Sequence, residues 1–168
     1  FYRFDCHNQI LINLQNSFAF HFLLLALYFR SMSYWLLKTD PDTYAWDDLV
    51  KEKRTAWTGV RNFQARNFLR AMQANDVAFI YHSMDERAVV GIARIVSGPY
   101  ADADDDAWTV VDVQAWKPLA VPVTLVQIKM RKTLAKMLLV THSRLSVMPL
   151  TLGQAKALLT MGKTEMEK

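Results

Sequence analysis

Cysteine is almost missing from this chain of 168 residues: Cys6 is the only one, and it lies in an atypical N-terminal stretch. The rest of the chain can therefore form neither a disulfide framework nor a thiolate zinc site, and a reducing compartment is the simplest environment for it. Glycine is also scarce, with five residues. The glycine-rich first turn of a doubly wound parallel fold is missing, which disfavours that architecture.

Residue patterns for catalysis and metal binding are equally scarce. The four histidines, at positions 7, 21, 82 and 142, show neither HxxxH nor HxH spacing, so we predict no metal site. The acidic run Asp102–Asp106 lacks the alternating ligands and closing glutamate of a calcium loop, and we interpret it as solvated. The sequence therefore predicts a protein that is not an enzyme and has no cofactor.

Size and composition are those of one globular domain. A chain of 168 residues can bury about two-thirds of its unfolded surface, and 52% apolar with 21% charged content argues against disorder. The formal net charge is +4 and the isoelectric point is near 9.2. This balance is compatible with an anionic partner but does not identify one, because a small patch matters more than the total charge.

Residues 1–31 differ in character from the rest. Their apolar run Phe18–Phe29 is too short for a bilayer span of about 20 residues, so we predict no membrane association. The segment also makes a poor signal peptide, since its leader is weakly basic and no clear cleavage site follows. We interpret residues 1–31 as an N-terminal extension, 32–163 as the domain and 164–168 as a tail. An export signal or an interface helix is the alternative for the extension.

Hydrophobic periodicity predicts several short strands. Residues 77–82 are apolar with almost no alternation, which is typical of a strand buried on both faces. Gly91, inside the apolar run 88–96, indicates a bulge or a close backbone approach. Further strands are predicted at 33–38 and 108–116, the latter ended by Pro118.

Short helices are interleaved with these strands. Asn62 is a predicted N-cap, and the residues at 65, 68, 69 and 72 follow the spacing of a buried helical stripe. Other helices are predicted at 47–53, 124–132, 133–138 and 151–161. Because strands and helices do not alternate regularly, we predict an α+β fold around a small curled sheet or barrel.

The helix start that follows Trp57 combines groups suited to recognition. Trp57 offers a stacking face, worth about 1–3 kcal/mol per base. Asn62 offers a donor and an acceptor to a base edge, while Arg61 and Arg66 near the helix N-terminus favour a phosphate, with Arg70 on the face of Arg66. In the structural alternative the tryptophan is core and the arginines form a solvated face.

Two more polar groups stand at the ends of apolar segments. Tyr81, His82 and Ser83 close the buried strand, where side chains of a barrel mouth meet ligands. Arg144 with Ser146 forms the second group, and its guanidinium suits a phosphate or carboxylate. The alternatives are an ordinary strand exit and a surface salt bridge. A catalytic role for His82 would require a nucleophile that Ser83, pointing the opposite way, does not provide.

Six motifs occur in one order between residues 33 and 161. They are Tyr34-Trp35-Leu36-Leu37-Lys38-Thr39-Asp40-Pro41-Asp42, Trp46-Asp47-Asp48-Leu49, Trp57-x-Gly-Val-Arg-Asn-x-Gln-Ala-Arg-Asn67, Tyr81-His82-Ser83, Val90-Gly91-Ile92-Ala93 and Ser143-Arg144-Leu145-Ser146-Val147. Together they resemble the EVE domain family of the PUA-like superfamily, whose usual Lys-Ser-Glu-Pro is here Lys-Thr-Asp-Pro. Residues 1–31 have no counterpart in the family.

The resemblance implies a PUA-like β-pseudobarrel with flanking short helices and a ligand pocket at one side. The pocket residues it implies are Lys38 and Thr39 on the first strand, Trp57 as an aromatic wall, Arg61 and Asn62 after the wall, Tyr81, His82 and Ser83 as the floor, and Arg144 with Ser146 at the opposite rim. Arg66 and Arg70 are the predicted phosphate contacts.

The function expected from this likeness is that of a reader of modified bases in DNA, of the 5-methyl- or 5-hydroxymethylcytosine type. The base would be flipped out or single-stranded, the protein a monomer, and its location the cytoplasm in a bacterium or the nucleus in a eukaryote. One alternative is a PUA-like module for tRNA or another structured RNA. Others are a nucleotide-processing hydrolase that uses His82 and Arg144, and a sensor of small anions.

Overall fold

A computed structural model describes residues 32–166 of the chain. The predictions for residues 1–31, including Cys6, lie outside the described residues, and the domain boundaries stay predictions. No helix within residues 32–166 is long and apolar enough to cross a membrane. Thr164, assigned above to the tail, is buried, and its hydroxyl accepts a hydrogen bond from the Ala120 amide at 2.9 Å.

The described part of the chain is a mixed α+β structure of eight strands and five short helices. The strands are β1 (Tyr34–Thr39), β2 (Arg54–Ala56), β3 (Val77–His82), β4 (Ala88–Ile95), β5 (Tyr100–Ala101), β6 (Thr109–Val110), β7 (Asp112–Thr124) and β8 (Val147–Leu150). The helices are α1 (Trp46–Glu52), α2 (Phe63–Ala71), α3 (Leu125–Met130), α4 (Leu138–Thr141) and α5 (Leu152–Met161).

Six strands form one curled sheet in the order β2-β7-β4-β3-β1-β8. The central strand β3 pairs in parallel with β1 and antiparallel with β4, and all six of its residues are buried, as predicted. Strands β5 and β6 form a separate two-stranded ribbon. The predicted α+β pseudobarrel with flanking short helices is confirmed.

Gly91 is required by a close approach of helix α1 to the sheet. A Cβ built on Gly91 would lie 2.6 Å from the Trp46 ring, so any side chain there would displace the tryptophan. The pairing of β4 with β7 also shifts register between Val89 and Gly91. Both the bulge and the close approach predicted for this glycine are therefore present.

The prediction that Pro118 ends a strand is wrong. Strand β7 runs through Pro118 and Pro122 to Thr124. Of the residues predicted to start this strand, Thr109 and Val110 belong to the ribbon instead, and Trp108 lies outside both strands. Proline cannot donate to a sheet ladder, but an edge or a bulge tolerates it. Pro118 lies opposite Gly91 at the bulge, and β2 pairs only with residues 112–114 of β7. Neither proline lies opposite β2, so the ladder between β2 and β7 loses no hydrogen bond.

Helix caps were predicted more accurately than helix ends. The Asn62 side chain accepts a hydrogen bond from the Ala65 amide at 3.0 Å, and Thr124 caps α3 in the same manner. The helix predicted over 133–138 is wrong, because turns occupy that segment and α4 begins at Leu138. Leu134 and Met137, buried and three residues apart, are joined by a turn bond of the 3₁₀ type instead.

Candidate functional site

A cleft of about 410 Å³ opens where strand β1 ends. Its volume lies within the range of roughly 300–1,000 Å³ that is usual for small-ligand sites. The residues that line it are Lys38, Thr39, Asp40, Thr43, Tyr44, Thr55, Ala56, Trp57, Thr58, Gly59, Val60 and Ser146. Three chain segments that are distant in sequence therefore meet at one concave surface.

Aromatic rings form one wall of the cleft. The Trp57 ring meets the Tyr44 ring edge-on, with 6.2 Å between centroids and an interplanar angle of 86°. Trp57 is only 6% exposed, so most of its surface packs in the core while part of it lines the cleft. Gly59, at φ +75°, turns the chain along the same wall. Packing in the core therefore holds this wall in place.

Tyr44 stays neutral across the ordinary pH range. Burial, followed by its hydrogen bond to Glu52, raises the pKa of the Tyr44 phenol to about 12. The phenol donates to the Glu52 carboxylate at 2.8 Å, so this aromatic ring brings no charge into the cleft. A neutral ring can face a planar apolar surface without repelling an anionic ligand.

Polar groups form a second part of the lining, which we call the polar wall. The Lys38 ammonium donates to the Ser143 carbonyl at 2.9 Å, and the Lys38 amide donates to the Ser146 carbonyl at 2.8 Å. Across the end of β1, the Thr39 hydroxyl donates to the Tyr44 carbonyl at 2.8 Å. These contacts fix a positive charge and two hydroxyl-bearing residues, Thr39 and Ser146, beside the aromatic wall.

His82 lies behind the cleft and supports it. It is 6% exposed; its Nε2 accepts the Trp46 amide proton at 2.9 Å, and its Nδ1 pairs with the Glu86 carboxylate. This arrangement requires the tautomer with hydrogen on Nδ1. Both ring nitrogens are used, so neither is free to accept a proton from a ligand. His82 instead fixes the start of helix α1, two residues from Tyr44.

The basic groups that follow Trp57 have partners within the protein. The Arg61 guanidinium pairs with the buried carboxylate of Asp102 at 3.0 Å. Arg66 Nη1 donates to the Ala107 carbonyl at 2.7 Å, although its Nε is buried without an acceptor among the described residues. Arg70 Nε donates to the Thr109 hydroxyl at 3.1 Å. We call Arg61, Arg66 and Arg70 the arginine cluster.

A match to a known family covers most of the chain. The family model described as the EVE domain matches residues 33–161. The chain belongs to the EVE domain family. Among curated relatives, thymocyte nuclear protein 1 of Mus musculus is 35% identical over 79% of this chain and 75% of its own length. The family predicted from the six motifs is confirmed.

Solved structures of similar proteins share the fold. A Rhodopseudomonas palustris protein determined by NMR is 42% identical with a TM-score of 0.75, covering 79% of this chain and 94% of that one. Human THYN1, crystallised in complex with DNA containing 5-methylcytosine, is 30% identical with a TM-score of 0.73. The match covers 80% of this chain and 99% of the human chain.

The EVE domain brings together only part of the predicted site. Lys38, Thr39, Trp57 and Ser146 line the cleft. The other predicted residues, which are Arg61, Asn62, Tyr81, His82, Ser83 and Arg144, are not among its lining residues. Their roles in ligand binding stay predictions, as do the phosphate contacts assigned to Arg66 and Arg70.

Most of the predicted site residues that do not line the cleft make contacts within the protein. Asn62 caps α2. The Ser83 hydroxyl donates to the Thr39 carbonyl at 2.9 Å, and this bond stabilises the end of β1. Tyr81 is 3% exposed, and burial raises the pKa of its phenol. Arg144, by contrast, is exposed and makes no side-chain hydrogen bond or ion pair within residues 32–166. It is the predicted rim residue that stays available to a ligand.

One surface feature of this EVE domain carried no sequence prediction. The rings of Phe63 and Trp108 stack with centroids 5.4 Å apart, and the Arg66 guanidinium lies 4.8 Å from the Phe63 ring centre. Phe63 is 67% exposed. A signal was present, because Phe63 is a large apolar residue off the buried stripe of α2. Its partner Trp108 is 45 positions away, so sequence spacing alone could not pair them.

Proposed function

We propose that this EVE domain is a non-enzymatic reader of a modified base in DNA. A base of the 5-methyl- or 5-hydroxymethylcytosine type, flipped from the duplex or on a single strand, enters the cleft and lies against Trp57. The supporting observation is a cleft lined by both aromatic and polar side chains, in a chain whose human relative was crystallised with 5-methylcytosine DNA.

The two walls of the cleft contribute different contacts to recognition. Trp57 and Tyr44 supply flat apolar contact, which is sequence-tolerant because every base has a π-face. Lys38, Thr39 and Ser146 supply donors and acceptors for the base edge, which distinguish one base from another. The added methyl of the modification gains apolar contact worth about 0.8 kcal/mol, and at most about 1–2 kcal/mol. A gain of about 0.8–1.4 kcal/mol corresponds to roughly fourfold to tenfold discrimination, and the upper limit of about 2 kcal/mol corresponds to roughly thirtyfold.

The surroundings of His82 do not support the hydrolase alternative, since both nitrogens of its ring have internal partners. Within residues 32–166 there is also no group of three His, Cys, Asp or Glu side chains that would hold a metal ion. The His82 ring is therefore not free to activate water, whereas the cleft presents groups suited to recognition.

The proposal is tested by titrating the protein with matched labelled oligonucleotides that carry cytosine, 5-methylcytosine or 5-hydroxymethylcytosine at one position. We expect roughly fourfold to tenfold tighter binding of a modified strand. Trp57→Leu keeps an apolar side chain but removes the stacking face that holds any base in the cleft. It should therefore weaken binding of every strand by about 1–3 kcal/mol, and the preference should be lost because the base no longer occupies the cleft. Replacing a buried tryptophan can lower the free energy of unfolding by about 3–5 kcal/mol. Thermal melting is therefore used to verify that the variant is folded.

Trp116→Leu is the matched control, because Trp116 is half-buried on β7 and does not line the cleft. It should retain the preference. Equal affinity of the wild-type protein for plain and modified strands would remove the modified-cytosine hypothesis. RNA of the same sequence binding more tightly than DNA would favour the RNA module instead.

A further inference from the structure

Charge is divided unevenly along the domain. Residues 32–112 contain nine Lys or Arg and thirteen Asp or Glu, whereas residues 113–164 contain eight Lys or Arg and no acidic residue. The small formal net charge of the chain, +4, conceals this separation. The second part of the domain therefore carries a positive field that nothing in its own sequence neutralises.

Five of these eight cations fall in one connection, residues 125–146, which we call the basic connection. They are Lys129, Arg131, Lys132, Lys136 and Arg144. All five are exposed, and none makes a side-chain hydrogen bond or ion pair within the part of the chain that the structure describes. Each is therefore a solvated charge whose counterions a polyanion could release.

Strand register places both ends of the basic connection at the cleft end of the sheet. It begins after Thr124, which pairs with Ala88, and Ala88 pairs with His82. His82 in turn pairs with Thr39, which lines the cleft. At its other end the connection returns to Ser146, another residue of the cleft.

A direct bond ties the basic connection to the cleft wall. The Lys38 ammonium, which lines the cleft, donates to the Ser143 carbonyl at 2.9 Å. Val126 and Met130 lie four residues apart on α3, are 67% and 79% exposed, and add apolar surface beside the cations. A strand held there would meet charge for its phosphates and apolar contact for its sugars.

We propose that the basic connection binds the phosphate backbone of the strand whose base enters the cleft. This inference rests on the proposed function and adds the surface that holds the polymer. Neutralising a phosphate releases condensed counterions, so binding strength falls with salt, with a log–log slope of about 0.7–0.9 per contact. The basic connection thus supplies affinity that does not depend on sequence, while the cleft selects the base.

The test compares two variants that remove equal charge. Lys129→Gln/Lys132→Gln neutralises the basic connection, and Arg94→Gln/Lys156→Gln neutralises two exposed cations elsewhere. Arg94 pairs with Val77 at the opposite end of β3, and Lys156 lies on α5, which begins after β8 leaves the cleft end. Affinity for a single-stranded oligonucleotide is measured from about 50 to 300 mM salt.

We expect the first variant to bind about fivefold to tenfold more weakly at about 100 mM salt, with a slope smaller by about 1.5, and the control to change little. The ratio of affinities for modified and plain strands should be unchanged, because phosphate contacts act equally on both. Identical salt slopes in the two variants, with base preference intact, would overturn the basic-connection proposal alone. Loss of slope in a protein without base preference would support it while removing the proposed function.

A second arm separates nucleic acid from an anionic membrane, which basic residues beside exposed apolar ones also fit. Vesicles of about 30% phosphatidylserine in phosphatidylcholine are sedimented with each protein. Binding of the wild type but not of Lys129→Gln/Lys132→Gln, with unchanged DNA affinity, would overturn the nucleic-acid assignment. Absence of vesicle binding together with a reduced DNA salt slope is the expected result.

Discussion

The arginine cluster and the basic connection carry the same sign of charge and differ in what surrounds it. Both adjoin the cleft: the arginine cluster follows Gly59 and Val60 of the aromatic wall, and the basic connection ends at Ser146 of the polar wall. Cations of the arginine cluster are bonded to a carboxylate, a carbonyl and a hydroxyl of the protein itself. Those of the basic connection have no such partners in the described structure.

This difference determines which cations can bind a phosphate without cost to the fold. An arginine that donates to its own chain keeps other N–H donors, but it can turn fully toward a phosphate only by giving up that bond. A carboxylate left behind then loses its counter-charge. A solvated lysine loses only counterions, and their release favours binding. The arginine cluster also stands beside the acidic run Asp102–Asp106, which would repel a polyanion. The sequence gives the number of charges in each region. Only the structure shows which of the cations already have partners within the protein.

The largest effect expected is on stability, from removing the carboxylate that holds Arg61. The Asp102 side chain is 2% exposed and also accepts the Asp104 amide at 3.2 Å. Asp102→Ala should lower the free energy of unfolding by about 2 kcal/mol, since the Arg61 guanidinium and the Asp104 amide lose their buried acceptor. This loss of stability is smaller than the loss expected for a fully buried ion pair, because the Arg61 side chain is 43% exposed.

Asp106→Ala is the matched control, because it removes the same charge from an exposed position of the same loop. It should change the free energy of unfolding by less than about 0.5 kcal/mol. Urea unfolding measures both values. If Asp102→Ala were as mild as the control, Arg61 would not be held in place, and the two cation groups would not differ in the way described.

A smaller effect is expected from Phe63, whose exposed ring lies beside Arg66 of the arginine cluster. The cations of the arginine cluster have internal partners, so we predict that the exposed Phe63 ring is the group of this region that contacts a nucleic acid, by stacking with a base that flanks the one in the cleft. Phe63→Ala should weaken binding about threefold to fivefold, near the lower end of the 1–3 kcal/mol known for base–aromatic stacking. Its 67% exposure predicts little change in stability.

An oligonucleotide with an abasic site on either side of the modified base provides the control for this prediction. Wild type and Phe63→Ala should bind that strand equally, because no flanking base remains to stack. Phe63→Trp should bind the intact strand as well as wild type does. A loss of affinity that persists on the abasic strand would mean that Phe63 acts through the fold.

Local rules predicted those features that depend on neighbouring residues. The Asn62 cap, the buried stripe of α2 and the fully buried β3 follow from periodicity and capping chemistry over a few positions. Gly91 was also predictable, since a glycine inside an apolar run signals a close backbone approach. These features require no knowledge of the rest of the chain.

Features set by distant partners were missed. Strand β7 continues through Pro118 because a bulge at Gly91 and the short length of β2 relieve the proline of ladder bonds. The tasks of His82, bonded to Trp46, and of Arg61, bonded to Asp102, depend on contacts 36 and 41 positions apart. From sequence each looked available to a ligand, because a polar side chain shows its chemistry but not its partner.

The smallest effect is expected from the arginines themselves, and it is the sharpest test of the comparison. Arg66→Gln/Arg70→Gln removes two positive charges, as many as Lys129→Gln/Lys132→Gln does. The Arg66 and Arg70 guanidinium groups already donate to Ala107 and Thr109, so we expect an affinity loss below about twofold and a salt slope reduced by less than about 0.5. Titration of one oligonucleotide at several salt concentrations compares the two double variants directly. An equal reduction of slope in both would show that the arginines exchange their internal partners for phosphates, and availability would then not separate the two regions.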